Sequence, residues 1–141
     1  MTVAIALDVL GDTRPLWRDW LADAARLLDV EGLPEDRAAA AAELDARGSG
    51  NWRTLLLRFT EERAPVYLRP AAEVSAALRA LQADGATVVV YTDAPVELAR
   101  VALAQLGAAR RIARVNTGPA PADADVVVTS RAQLLALRRS A

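Results

Sequence analysis

Asp8 closes an apolar run, Val3-Ala4-Ile5-Ala6-Leu7, and is followed at once by Val9-Leu10-Gly11. A carboxylate at a strand end just ahead of a glycine turn lies where parallel sheets bind ligands, and carboxylates as a class serve as nucleophiles or as ligands of hard cations. Asp12 lies four residues further on. Thr92-Asp93 and Thr129-Ser130 each follow a later valine-rich run, and Arg110-Arg111 is a cationic pair between those two runs. What is missing narrows the chemistry. The chain has no histidine, no cysteine and no lysine, so all 17 basic residues are arginine. A Ser-His-Asp triad, an imidazole base, thiolate or imidazole metal ligation, a Schiff base and a P-loop lysine are therefore excluded within one chain. Carboxylate, hydroxyl and guanidinium chemistry remain.

Strands and helices must bring these groups together. Residues 3–9 read as one buried strand. From Pro15 the period changes, and Leu16, Trp17, Trp20, Leu21, Ala24, Leu27 and Leu28 share a helical face. Gly32-Leu33-Pro34 breaks that helix, and Pro34, Glu35 and Asp36 suit the first turn of the next. The Ala38–Ala42 run suits close helix packing. Gly48-Ser49-Gly50 is a connection, and Asn51 is placed to cap a helix carrying Trp52, Leu55, Leu56 and Phe59. Residues 64–70 read as an extended crossing segment because of Pro65 and Pro70. A helix follows with Val74, Ala77, Leu78 and Leu81 inward, ending at Asp84-Gly85. Ala86–Tyr91 is a second buried strand, Pro95 to Gly107 a helix, Arg111–Val115 a short strand, 117–124 a loop, Val126–Val128 the last strand and Arg131–Arg139 the last helix.

Strands alternating with helices predict an α/β domain, a Rossmann-like parallel sheet flanked by helices. Residues 1–13 and 65–141 form its core, and residues 14–64 an inserted helical cap over the strand ends. Ligands in such sheets bind beyond the carboxyl ends of the strands. At 141 residues one domain with a real core is expected, and a net charge of −1 gives no field favouring nucleic acid or an acidic membrane. No apolar run approaches the roughly 18 residues a membrane span needs. The opening residues read as a strand, not a signal peptide. A cytoplasmic protein is the expectation.

Asp8, Thr92-Asp93 and Thr129-Ser130, in that order at three strand ends, resemble the haloacid dehalogenase (HAD) superfamily over nearly the whole chain. Its members end the first strand in Asp-x-Asp-Gly-Thr, the second in Ser or Thr, and a later one in an acidic pair, with Lys or Arg before that last strand. The resemblance implies that Asp8 is the nucleophile, that Gly11 forms the turn and that the Thr92 hydroxyl binds the transferred group, with Asp93 where Asn is frequent. It also implies departures. Leu10 replaces the carboxylate that protonates the leaving group. Asp12 takes the usual Thr position and is a weak catalytic candidate. Arg110, Arg111 and Arg114 are the only nearby stand-ins for the third-motif cation. Thr129 and Ser130 occupy positions where acids would hold Mg2+, Leu134 beyond them is not acidic, and Asp123 and Asp125 lie before the strand. The implied site therefore has no Mg2+, and little or no phosphatase activity is expected.

Alternatives stay open. Members resembling 2-haloacid dehalogenases lack the second carboxylate too and attack carbon without Mg2+, with an arginine holding the substrate carboxylate. A non-catalytic interaction module is the third reading. Asp8 is equally readable as a structural carboxylate accepting turn N–H groups. Asp12-Thr13, Thr92-Asp93 and Thr129-Ser130 are each readable as helix caps. Arg110-Arg111 and Arg138-Arg139 are readable as solvated or ion-paired groups, and one of the first pair as an anion binder at the strand ends. Trp17, Trp20 and Trp52 read as core, or as a partner surface if exposed. A small anionic ligand and a second copy of the chain are the partners the sequence allows.

Overall fold

The computed structural model describes residues 1–140, with side chains through residue 137; the side chains of Arg138 and Arg139 lie outside the described residues. Four strands, β1 (Thr2–Ala6), β2 (Thr87–Thr92), β3 (Arg114–Thr117) and β4 (Val126–Val128), form one parallel sheet in the order β3-β2-β1-β4. Val3, Ala4 and Ile5 of β1 are all fully buried, so both faces of the central strand are covered. Ile5 pairs in register with Val90 on one side and Val128 on the other, and all three are fully buried.

Seven helices accompany the sheet among the described residues: α1 (Leu7–Leu10), α2 (Arg14–Leu27), α3 (Arg37–Ala46), α4 (Trp52–Tyr67), α5 (Ala72–Ala83), α6 (Val96–Gln105) and α7 (Arg131–Ser140). A 3-10 turn, Ala109–Arg111, precedes β3. The fold is α/β with a Rossmann-like, all-parallel core. Helix α4 packs on α6 and α2, while α5 packs on α7 and β2. One apolar cluster takes in Ile5 and Val90 of the sheet, Trp17 and Trp20 of α2, Leu44 of α3, Leu56 of α4 and Leu98 of α6. Helices α2, α3 and α4 thus share their core with the sheet. Trp17, Trp20 and Trp52 are buried, which settles the tryptophans as core rather than as a partner surface. Trp20 meets Phe59 of α4 with ring centroids 5.8 Å apart.

Several boundaries differ from the sequence-based expectation. The first strand stops at Ala6 rather than Val9. Leu7–Leu10 instead forms a single helical turn in which the Gly11 amide donates to the Leu7 carbonyl at 3.3 Å. Leu7, Val9 and Leu10 are buried in that turn, so it is as apolar as a strand and periodicity does not separate the two. The segment 64–70 is not wholly extended. Helix α4 runs through Pro65 to Tyr67, closed by the Leu68 amide on the Ala64 carbonyl at 2.8 Å. Buried Ala64 and Leu68 pin this last turn to the core while Pro65 faces outward. Helix α3 starts at Arg37, not at Pro34, because the Asp36 carboxylate caps it by accepting the Ala39 amide at 2.8 Å. Asn51 sits at the start of α4 without a side-chain capping bond. No helix of the described residues is long and apolar enough to cross a membrane.

Candidate functional site

The carboxyl ends of the four strands lie together, because the sheet is parallel and its register is continuous. Asp8 follows β1, Thr92 ends β2 with Asp93 just beyond it, and Thr129-Ser130 follow β4. The turn after Ala6 folds Asp8 back toward the segment that enters α2. Its Oδ1 accepts the Thr13 amide at 3.0 Å and the Thr13 hydroxyl at 2.6 Å. Its Oδ2 accepts Nη2 of Arg37 at 3.1 Å.

Arg37 was not among the sequence candidates, and it organises the site. It is the first residue of α3, and only 6% of it is exposed. Its Nε donates to Oδ1 of Asp93 at 2.8 Å, and its backbone N–H to Oδ2 of Asp93 at 3.3 Å. Its Nη1 donates to the Thr13 hydroxyl at 2.6 Å. Thr13, itself fully buried, therefore accepts from Arg37 and donates to Asp8. A buried guanidinium is tolerable only when paired and hydrogen-bonded. Here two carboxylates and a hydroxyl satisfy it, and in doing so they tie α3 to the ends of β1 and β2. The sequence did not single it out: a cation in the first turn of a helix opposes the helix dipole, but Arg37 takes that position only because the helix starts after Asp36.

Asp12 forms a bidentate pair with Arg14: Nε to Oδ1 at 2.8 Å and Nη2 to Oδ2 at 3.0 Å. That side-chain bond to Arg14 holds the Asp12 carboxyl below the usual carboxylate range. Asp12 also accepts the Arg14 amide at 3.1 Å, so it serves the start of α2. The hydroxyl oxygen of buried Thr92 accepts the Ala94 amide at 3.1 Å, and its carbonyl accepts the Gly118 amide at 2.7 Å. Ser130 caps α7 by accepting the Gln133 amide at 3.2 Å, while Gln133 Oε1 accepts the Thr129 amide at 2.9 Å and the Thr129 hydroxyl at 3.1 Å. Arg131, next in the chain, turns its guanidinium to the carbonyls of Val9 and Leu10 at 3.3 to 3.5 Å.

Leu10 does not face the site; it is buried in the apolar cluster. Arg110 and Arg111 do not reach the site either. The expectation that one of them lines the strand-end pocket is corrected by their position in the turn that precedes β3, where the Ala113 amide donates to the Val88 carbonyl at 2.8 Å near the amino end of β2. Arg111 there donates to Gln82 at 2.7 Å. Asp125 is also at that end, accepting the Thr2 amide at 2.6 Å.

Three clefts meet at Asp8. The largest, about 500 Å³, is lined by Asp8, Arg14, Trp17, Arg18, Leu21, Glu35, Arg37 and Asp93. A second of about 430 Å³ includes Thr92, Asp93 and Gly118, and a third of about 350 Å³ includes Asp12, Thr129, Ser130 and Arg131. Asp8 and Asp93 are the carboxylates that strand-end geometry offers to a divalent cation, but the residues present do not fit one. The guanidinium of Arg37 already bonds both, and Arg14 and Arg131 line the remaining approach. No group of three or more side chains suited to a metal ion occurs among the described residues. No protein-family model matches this chain, and neither a curated protein nor a solved structure was found to match it.

Proposed function

We propose that the chain is a HAD-like protein whose strand-end aspartate has been converted from a nucleophile into one pole of an ion-pair network, with little or no phosphatase activity. The observation that supports this most is Arg37, bonded at once to Asp8, Thr13 and Asp93. Attack by a carboxylate on a phosphate needs charge compensation at the phosphoryl oxygens, and electrostatic stabilisation usually lowers the barrier of such reactions more than any other effect. In this site the guanidinium next to Asp8 is spent on the carboxylates themselves. Leu10, in the core, offers no proton to a leaving group. Losing about 4 kcal/mol of transition-state stabilisation alone slows a reaction roughly 1,000-fold. The network instead fastens the α3 segment across the ends of β1 and β2, leaving a cleft suited to a small ligand. We place this function in the cytoplasm, in keeping with a chain that uses no cysteine. The test is phosphate release from a panel of phosphomonoesters with Mg2+. Equal, background-level rates for the wild type and Asp8→Asn are expected; turnover that Asp8→Asn abolishes would overturn the reading.

One observation favours a second reading. An arginine beside the strand-end aspartate is what a metal-independent, dehalogenase-like hydrolase would use to hold a substrate carboxylate, and Arg37 Nη2 is 3.1 Å from Asp8. Against it, Arg37 is already bound to Asp93 and Thr13, and both oxygens of Asp8 are engaged. Halide release from 2-haloacids in the presence of EDTA would establish that reading, and its absence across a panel would remove it.

A further inference from the structure

The 500 Å³ cleft has two chemically different walls. One is a single face of α2: Arg14, Trp17, Arg18 and Leu21 recur at the i, i+3, i+4 and i+7 spacing. The other carries Asp8, Asp93 and Glu35 against the single guanidinium of Arg37. On the first wall Arg14 is paired to Asp12, whereas Arg18 is exposed and makes no ion pair among the described residues. On the second wall Arg37 offsets one of three negative charges, and exposed Glu35 makes no ion pair among the described residues. Asp12 offsets the charge of Arg14, and the guanidinium of Arg18 on the same face is left facing the cleft. Between the charged groups lie buried Trp17 and half-buried Leu21, an apolar strip.

We infer that this cleft binds a small zwitterion of the amino-acid class: its carboxylate on Arg18, its ammonium toward Glu35 and Asp93, and its apolar body along Trp17 and Leu21. A volume of about 500 Å³ lies within the usual range for small-molecule sites, which combine an apolar lining with a few placed polar groups. A simple anion satisfies Arg18 but meets the residual negative charge of the opposite wall. A simple cation has the reverse problem. A zwitterion satisfies both, and each charge-assisted hydrogen bond adds orientation as well as affinity. The inference rests on the reading of Asp8 as held by Arg37, since that pairing sets the charge of the second wall.

Calorimetric titration of the full chain with three probes tests it: phenylalanine, 3-phenylpropanoate, which lacks the ammonium group, and 2-phenylethylamine, which lacks the carboxylate. Phenylalanine is expected to bind at least about tenfold more tightly than either, the worth of one charge-assisted bond. Arg18→Gln is expected to weaken phenylalanine about tenfold and leave 2-phenylethylamine unchanged. Glu35→Gln is expected to weaken phenylalanine and leave 3-phenylpropanoate unchanged. Both side chains are exposed, so neither variant threatens folding. Equal affinity for phenylalanine and 3-phenylpropanoate, identifying a plain anion site, would overturn the inference. So would the absence of binding by all three. Phosphate release dependent on Asp8 would break the underlying reading instead and is measured in a separate assay.

Discussion

Asp8 accepts hydrogen bonds on both of its carboxylate oxygens, from Thr13 on one and from Arg37 on the other. Removing Arg37 leaves Asp8 and Asp93 facing each other's charge without compensation. Breaking a fully buried pair in this way costs about 3–5 kcal/mol, but the Asp93 side chain is 42% exposed and solvent screens part of the loss. Arg37→Ala is therefore expected to destabilise the protein by about 2 kcal/mol in urea denaturation. Asp8→Asn keeps the shape and an acceptor oxygen and is expected to cost about 1 kcal/mol. The double variant is expected to cost less than the sum of the two, since the side chains are in contact. Additive effects would deny the coupling. A pH prediction belongs to Asp45, which accepts the Trp52 indole N–H at 2.8 Å and Nη2 of Arg53 at 3.1 Å. The Trp52 bond first, then Arg53, lowers its pKa below the ordinary 3.8. A carboxyl lowered in the folded chain contributes stability above its unfolded value and loses it as pH falls through the folded value. The melting temperature is therefore expected to fall from about pH 5 to pH 3, and Asp45→Asn to make that fall shallower. An unchanged slope would show that Asp45 contributes nothing to it.

Helix ends carry the next predictions. Ser130 caps α7 by accepting the Gln133 amide, so Ser130→Ala is expected to cost about 1 kcal/mol by thermal or chemical unfolding. Pro65 lies in the last turn of α4 with its ring outward and no amide to donate. Pro65→Ala is expected to raise the melting temperature, because it restores a donor where the backbone is already helical; a lower value would show that the proline's restriction of the unfolded chain outweighs the missing bond. The same two elements show what the sequence could disclose. Period-2 and period-3.6 patterns disclosed the alternation of strands and helices. They misjudged Leu7–Leu10 and residues 64–67, because a buried helical turn and a proline in a helix's last turn both imitate other structures locally. Thr129-Ser130 was legible as a cap because Ser-x-x-Gln is a short-range pattern.

Across the whole molecule, strand order brings Asp8, Asp93 and Thr129-Ser130 to one end, and a helix inserted after the first strand adds Arg37. The strand-end residues were readable because each directly follows a β-rich run. Arg37 was not, because its partners are 29 and 56 residues distant and no local pattern links them. Arg110 and Arg111 were misplaced for the complementary reason: closeness in sequence to a strand does not say which end of it they occupy. With Arg37 and Thr13 holding both its oxygens, Asp8 has no nucleophilic role to play in the proposed reading. The initial rate of Mg2+-dependent p-nitrophenyl phosphate hydrolysis by purified wild type and Asp8→Asn, measured side by side, decides the matter. Indistinguishable rates at background are expected; a wild-type rate well above that of Asp8→Asn would show that the aspartate still attacks phosphate.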